Sequence, residues 1–224
     1  MKKILFVLLS VIITFVQVKS QEEEDSEKYR FSIGLKGGIV QNINAYRTLA
    51  DGEGFTYYGD DLAYSVGLDM GLFVTNKIRT RLELKYLEME YGMDWNYTNS
   101  DFYKTTTSLF NVDVNLYCDY LALSLEHLQL FVSLGIINEF VYTHEYKNIL
   151  SDGEVNYKSY NVLSNQYPET ISGGDISLIV KYKINNNIGI TLNPGYTYFF
   201  RKFVRDNDDP YQRTNVNLGV EYTF

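Results

Sequence analysis

Residues 64–74, YSVGLDMGLFV, are apolar at every second position. Tyr64, Val66, Leu68, Met70, Leu72 and Val74 alternate with Ser65, Gly67, Asp69 and Gly71. A period of two belongs to the β-strand, whose successive side chains point to opposite faces. Seven more segments carry it: YRFSIGLKGGIV, IRTRLELKY, FNVDVNLYCDY, LQLFVSLGI, DISLIVKYKI, IGITLNPGYTYFF and the closing RTNVNLGVEYTF. Eight strands of this kind must give one face to an apolar medium and the other to a polar or enclosed one. Two places depart from the pattern. In LEMEY, residues 87–91, the phase slips, which implies a bulge or a strand leaving the bilayer. After Ile136 both faces are apolar, so the register there is open.

The connections alternate in length. Thr75–Asn76–Lys77 and Asn185–Asn186–Asn187 are short turns, and a somewhat longer piece includes Ser124 and His127. The intervening connections, 44–61, 92–104, 147–170 and 202–212, are long and polar. Short turns at one rim and long loops at the other are the asymmetry of outer-membrane barrels. Aromatic residues are expected to form two girdles around an aliphatic band. One holds Tyr29, Phe31, Tyr120, Tyr182, Tyr222 and Phe224. The other holds Tyr64, Tyr86, Phe110, Phe140, Tyr142, Tyr196, Tyr198 and Phe200. The expected fold is therefore all-β, an eight-stranded antiparallel up-and-down transmembrane β-barrel over residues 29–224.

Residues 1–20 read as a secretory signal, with Lys2 and Lys3 before the uncharged run Ile4 to Val16 and a cleavage site before Gln21. Residues 21–28, QEEEDSEK, read as a flexible acidic lead-in on the periplasmic side. Loss of Lys2, Lys3 and Lys19 takes the net charge from −8 to about −11, which argues against a nucleic-acid partner. The single cysteine, Cys118, excludes an internal disulfide. Tyr (21) and Phe (13) are abundant while Pro (3) is scarce, as strands crossing lipid require.

An eight-stranded barrel has an interior that side chains can fill, too narrow for a water-filled channel. The alternation directs Arg30, Lys36, Arg79, Arg81, Lys85, Lys181 and Lys183 inward, to face Asp69, Glu83, Asp113, Asp175 and Glu221. Enclosed charges must pair, so a salt-bridge plug is expected. A gated ion path or small-anion site is the alternative, because the basic members outnumber the acidic ones.

No catalytic, cofactor-binding or metal-binding set is legible. His127 and His144 fall at opposite rims, and Thr143–His144–Glu145 lacks the second histidine of a zinc helix. The acidic clusters Asp60–Asp61 and Asp206 to Pro210 do not have the spacing of a calcium loop.

The segments FSIGLKGGIV, YSVGLDMGLFVTNKIRTRLELKYLEMEYG, LQLFVSLGIINEFV, GGDISLIVKYKINNNIGITLNPGYTYFF and NLGVEYTF together resemble the outer-membrane β-barrel domain of Bacteroidota, the PorT-like or "porin family" small barrels. The resemblance covers nearly all of residues 29–224 and rests on Gly and aromatic spacing. It implies an eight-stranded barrel in the bacterial outer membrane, and one relative serves in type IX secretion. Phe224, with Tyr222, resembles the terminal signal read by the barrel-assembly machinery.

The expected function is that of a small, non-enzymatic outer-membrane protein acting structurally or through its extracellular loops. Residues 147–170, rich in Tyr and Asn, suit a binding surface. The expected surroundings are outer-membrane lipids and lipopolysaccharide, the expected state a monomer. A secretion component or a narrow channel is the alternative.

Overall fold

The computed structural model describes residues 30–43, 55–59, 62–95, 102–150, 152–160, 170–201 and 212–224. The expected signal and lead-in, residues 1–28, lie outside them, as do Tyr29 and the side chains of Tyr142 and His144. Ten strands are described: β1 (Phe31–Ile43), β2 (Phe55–Gly59), β3 (Ala63–Phe73), β4 (Ile78–Trp95), β5 (Phe102–Ser124), β6 (Leu128–Leu150), β7 (Val155–Tyr160), β8 (Thr170–Lys183), β9 (Ile188–Phe199) and β10 (Gln212–Thr223). Eight of them close a ring in the order β1-β3-β4-β5-β6-β8-β9-β10, every pair antiparallel. β10 returns to β1 along Ser32↔Thr223 to Ile43↔Gln212, so the ring has no free edge.

The ring's geometry follows from its register. Ser32 pairs with Gly71, and the pairing then passes through Arg81, Tyr117, Gly135, Asp175, Thr197 and Arg213 to reach Asn42. One circuit therefore advances ten residues along β1 (42 minus 32). With ordinary strand spacings this stagger sets a tilt of about 40° and a backbone radius of about 8 Å.

The turns explain why the strands meet. Thr75 Oγ1 accepts from the backbone N–H of Lys77 (3.2 Å) and Ile78 (3.0 Å). Asn185 Oδ1 does the same for Asn187 (2.9 Å) and Ile188 (2.7 Å). Both side chains supply the acceptor that a tight turn leaves its amides without. The β5–β6 connection is as tight as these, with Leu125 N–H donating to Leu128 O at 2.7 Å, and not the longer piece expected. All three turns share the rim where β1 begins and β10 ends.

The outward face is apolar. Leu35, Leu68, Leu116, Leu134, Ile176, Leu192 and Leu218 form an exposed aliphatic belt. Around the turn rim stand Phe31, Tyr120, Tyr182, Tyr222 and Phe224, with Phe31 and Phe224 rings 5.7 Å apart and Tyr222 and Phe224 edge to face at 4.8 Å. Around the other rim stand Tyr64, Tyr86, Phe110, Phe140, Tyr196, Tyr198 and Phe200. Strand rise and tilt separate the two girdles by roughly 20–25 Å, the height of a hydrocarbon band.

Of the two readings of residues 87–91 the bulge is overturned, since β4 pairs without interruption with β5 from Ile78 to Asp94, while the strand does run on past the apolar band, where β2 pairs with it from Tyr91. Leu87 and Met89 point inward and are buried, so the apparent phase slip is a lumen wall turning apolar. The long connections are also partly strand. β5 and β6 run 23 residues each, about twice the 9–11 that a spanning strand needs. Beyond the ring β2 pairs with β4 and β7 with β6, so β2-β4-β5-β6-β7 continue as a five-stranded sheet above the loop rim.

Leu116 is 59% exposed at mid-height of the belt. Leu116→Arg is expected to cost about 2–4 kcal/mol in lipid, the penalty for a cation at the bilayer midplane. Denaturant titration in vesicles measures it.

Candidate functional site

The lumen is the site that the fold builds, because every inward residue converges on it. A single chain of ion pairs runs up its axis from the turn rim. Lys181 Nζ pairs with Glu221, and Arg79 Nη1 reaches the same carboxylate at 2.7 Å. Arg79 Nε donates to Asp119 at 2.8 Å, and Arg81 Nε to the same oxygen at 3.0 Å. Arg81 Nη1 then reaches Asp69 at 3.2 Å and Glu83 at 3.1 Å. Lys36 bonds Asp69 at 3.2 Å and also Glu83. Lys85 links Glu83 at 3.8 Å to Asp113 at 3.3 Å. At the top Arg213 pairs with Asp113 at 3.3 Å and with Glu139.

Neutral groups complete the network. The Ser133 hydroxyl donates to Asp119 and accepts from Arg81 Nη2. Asn111 and Asn115 donate amide hydrogens to Glu139 (2.9 Å) and Glu83 (3.2 Å). Asp175 accepts from Thr197 Oγ1 at 2.7 Å. The guanidinium of Arg81 lies 4.0 Å from the centroid of the buried Tyr117 ring. Directly across the pair, Gly135 leaves room for that ring, for a Cβ there would stand 2.3 Å from Tyr117 Cδ1.

Apolar residues pack in the bore near both ends of the chain of charges, with Lys181 on the rim side of the lower layer. At the turn rim Phe73, Phe131 and Ile179 pack with Leu121. The Arg79 guanidinium sits 4.8 Å from the Phe131 ring and 5.5 Å from that of Phe73. At the loop rim Val40, Leu87, Met89, Ile171 and Phe199 are buried around Arg213, which lies 5.0 Å from the Phe199 ring. The space left around Lys36, Asp69, Arg79, Arg81 and Glu221 amounts to about 10 Å³, no more than one water.

Of the residues expected in the lumen, Lys36, Asp69, Arg79, Arg81, Glu83, Lys85, Asp113, Lys181 and Glu221 belong to this network. Arg30 and Lys183 do not, because they lie at the turn-rim mouth. Arg213, Glu139 and Asp119 are in the network although the charge count from sequence omitted them. Asp119 and Arg213 hold inward phase in their segments, and that was signal enough to find them. The expected excess of basic groups is reversed. Among the described residues six enclosed cations (Lys36, Arg79, Arg81, Lys85, Lys181, Arg213) face seven carboxylates (Asp69, Glu83, Asp113, Asp119, Glu139, Asp175, Glu221). Among the described residues no cluster of three His, Cys, Asp or Glu could hold a metal ion.

No protein-family profile matches the chain, and no curated protein is significantly similar to it in sequence. Solved structures are similar in fold. The outer membrane protein OprG from Pseudomonas aeruginosa aligns with a TM-score of 0.53 at 11% identity, over 88% of this chain and 97% of that one. A major outer membrane protein from Thermus thermophilus aligns with a TM-score of 0.52 at 13% identity, over 88% of this chain and all of that one (100%). The chain thus has the closed antiparallel fold of outer-membrane barrels.

Asp119→Asn removes the carboxylate that Arg79 and Arg81 share, leaving Glu221 to the one and Asp69 and Glu83 to the other, and is expected to destabilise the barrel by about 1.5–3 kcal/mol, the worth of a hydrogen bond to a charged group. Gly135→Ala, which pushes Tyr117 off Arg81, is expected to cost about 1–3 kcal/mol. Equilibrium unfolding in urea checks both, and values within about 0.5 kcal/mol of wild type, the effect of a neutral surface change, would contradict the packing described.

Proposed function

We propose that this chain is a small, non-enzymatic outer-membrane barrel whose lumen is plugged by its own side chains. It works structurally or through the strands and loops that rise outside the membrane. The observation that carries this reading is the ion-pair network that fills the bore from Glu221 to Arg213, with apolar layers packed near its two ends. Such an interior is packed like a protein core and gives solutes no path. The five-stranded extension supports the second half of the reading, for it lifts backbone and loops well clear of the apolar band.

In this reading residues 1–20 direct export and are removed, and residues 21–28 lead into the barrel from the periplasm. The barrel sits as a monomer among outer-membrane lipids and lipopolysaccharide. Tyr222 and Phe224 serve as the terminal signal for barrel assembly. The Gly and aromatic spacing supports membership of the PorT-like small barrels of Bacteroidota.

Reconstituted in a planar bilayer, the protein is expected to give no stable open level, and steady porin-sized currents would overturn the plug. Deletion is expected to change what the cell surface binds while secreted proteins remain unchanged. Loss of secreted proteins would instead assign the barrel to a secretion apparatus.

A further inference from the structure

Beneath the apolar floor, the turn rim opens into a separate cavity of about 220 Å³. Its charged walls are Arg30, Lys181 and Lys183, its inner end is Phe73, and Gln129 and Thr223 add polar groups. Lys181 is committed to Glu221 and to Thr223 Oγ1 (3.0 Å). Glu221 in turn is shared between Lys181 and Arg79. Lys183 is different: it is half-buried, and its ammonium has no ion pair or hydrogen bond among the described residues. Arg30 keeps its guanidinium 4.6 Å from the Phe73 ring centroid, which leaves its donor edges open to the cavity. Two cations without carboxylate partners among the described residues thus share one concave, solvent-facing space. The five cations enclosed deeper in the lumen (Lys36, Arg79, Arg81, Lys85 and Arg213) are all paired.

We propose that this vestibule binds the carboxylates of an acidic peptide segment. Arg30 presents a planar fork suited to a carboxylate, and Lys183 a point charge beside it. At about 30 Å³ per water the cavity holds roughly seven waters, room for one or two acidic side chains and not for a folded domain. The chain itself supplies a ligand of this chemistry. Glu22, Glu23, Glu24, Asp25 and Glu27 stand directly before Arg30 in sequence. A tether that short gives an effective concentration in the millimolar range, so an acidic segment of a periplasmic protein would have to compete with it. The site lies at the opposite rim from the extended strands and stands whether or not those strands bind anything.

The test is fluorescence anisotropy of a labelled hexaglutamate peptide on the full exported chain, refolded in detergent. Arg30→Gln with Lys183→Gln is expected to weaken binding at least tenfold. Lys77→Gln, which removes a charge from a neighbouring turn outside the cavity, is expected to leave it unchanged. Heat-modifiable gel mobility confirms that each variant is folded. Neutralising Glu22, Glu23, Glu24, Asp25 and Glu27 to their amides separates the two sources. A tenfold gain in affinity identifies the chain's own segment as the resident ligand, and unchanged affinity identifies an external acidic peptide. The proposal is overturned by absence of saturable binding at millimolar peptide to either form. Equal loss in Lys77→Gln, or no loss in the double variant, overturns it as well.

Discussion

Inside lipid a backbone N–H or C=O has no water to turn to, and each one left unpaired costs several kcal/mol. Most of this structure follows from that requirement. It forces the sheet to close, which β10 does by pairing with β1 over its full length. Closure with eight strands and a stagger of ten residues fixes a narrow tube. The outward half of each strand must then be apolar and the inward half must fit a space only side chains can fill. Charges placed in such a space must find partners, since an isolated buried ion costs far more than a pair. The network from Lys181 to Arg213 is thus a consequence of closure, and the pairing of Arg79 with both Asp119 and Glu221 ties β4 to β5 and β10 across the bore.

Buried ion pairs are weak evidence for stability, because desolvation offsets most of the attraction. Their value here is better sought in specificity. The six enclosed cations each find a carboxylate at their own height in the observed register. A strand that slipped by one residue would turn its inward side chains, charges included, to the lipid face. The apolar layers near either end add hydrophobic packing to the charges between them.

The fold was legible in the sequence because period two is a strong local signal, repeated eight times and bounded by turn chemistry at Thr75 and Asn185. The misreadings have one cause. Leu87 and Met89 are apolar yet face inward, and a polarity pattern cannot tell a strand that shifts phase from a lumen that changes lining. The same blindness hid Phe73, Phe131, Ile179 and Phe199, all buried in the bore. Glu139 escaped notice because Ile137 before it is also inward. Arg30 and Lys183 had the right phase and the wrong height, since alternation says which face a residue takes and not how far along the tube it sits.

A thiol buried in a sealed bore is out of reach of aqueous reagents, so thiol accessibility tells a sealed interior from a water-filled one. Ser177 is buried at mid-height and its hydroxyl has no hydrogen-bond partner among the described residues, so Ser177→Cys is nearly isosteric there. In a Cys118→Ser background, with Asn186→Cys as the exposed control at a turn, the barrel is placed in lipid nanodiscs and treated with a small charged methanethiosulfonate. Rapid labelling is expected at position 186 and none at 177 until the barrel is unfolded. Labelling of both at similar rates would mean that water and ions enter the bore, and the plug would be wrong.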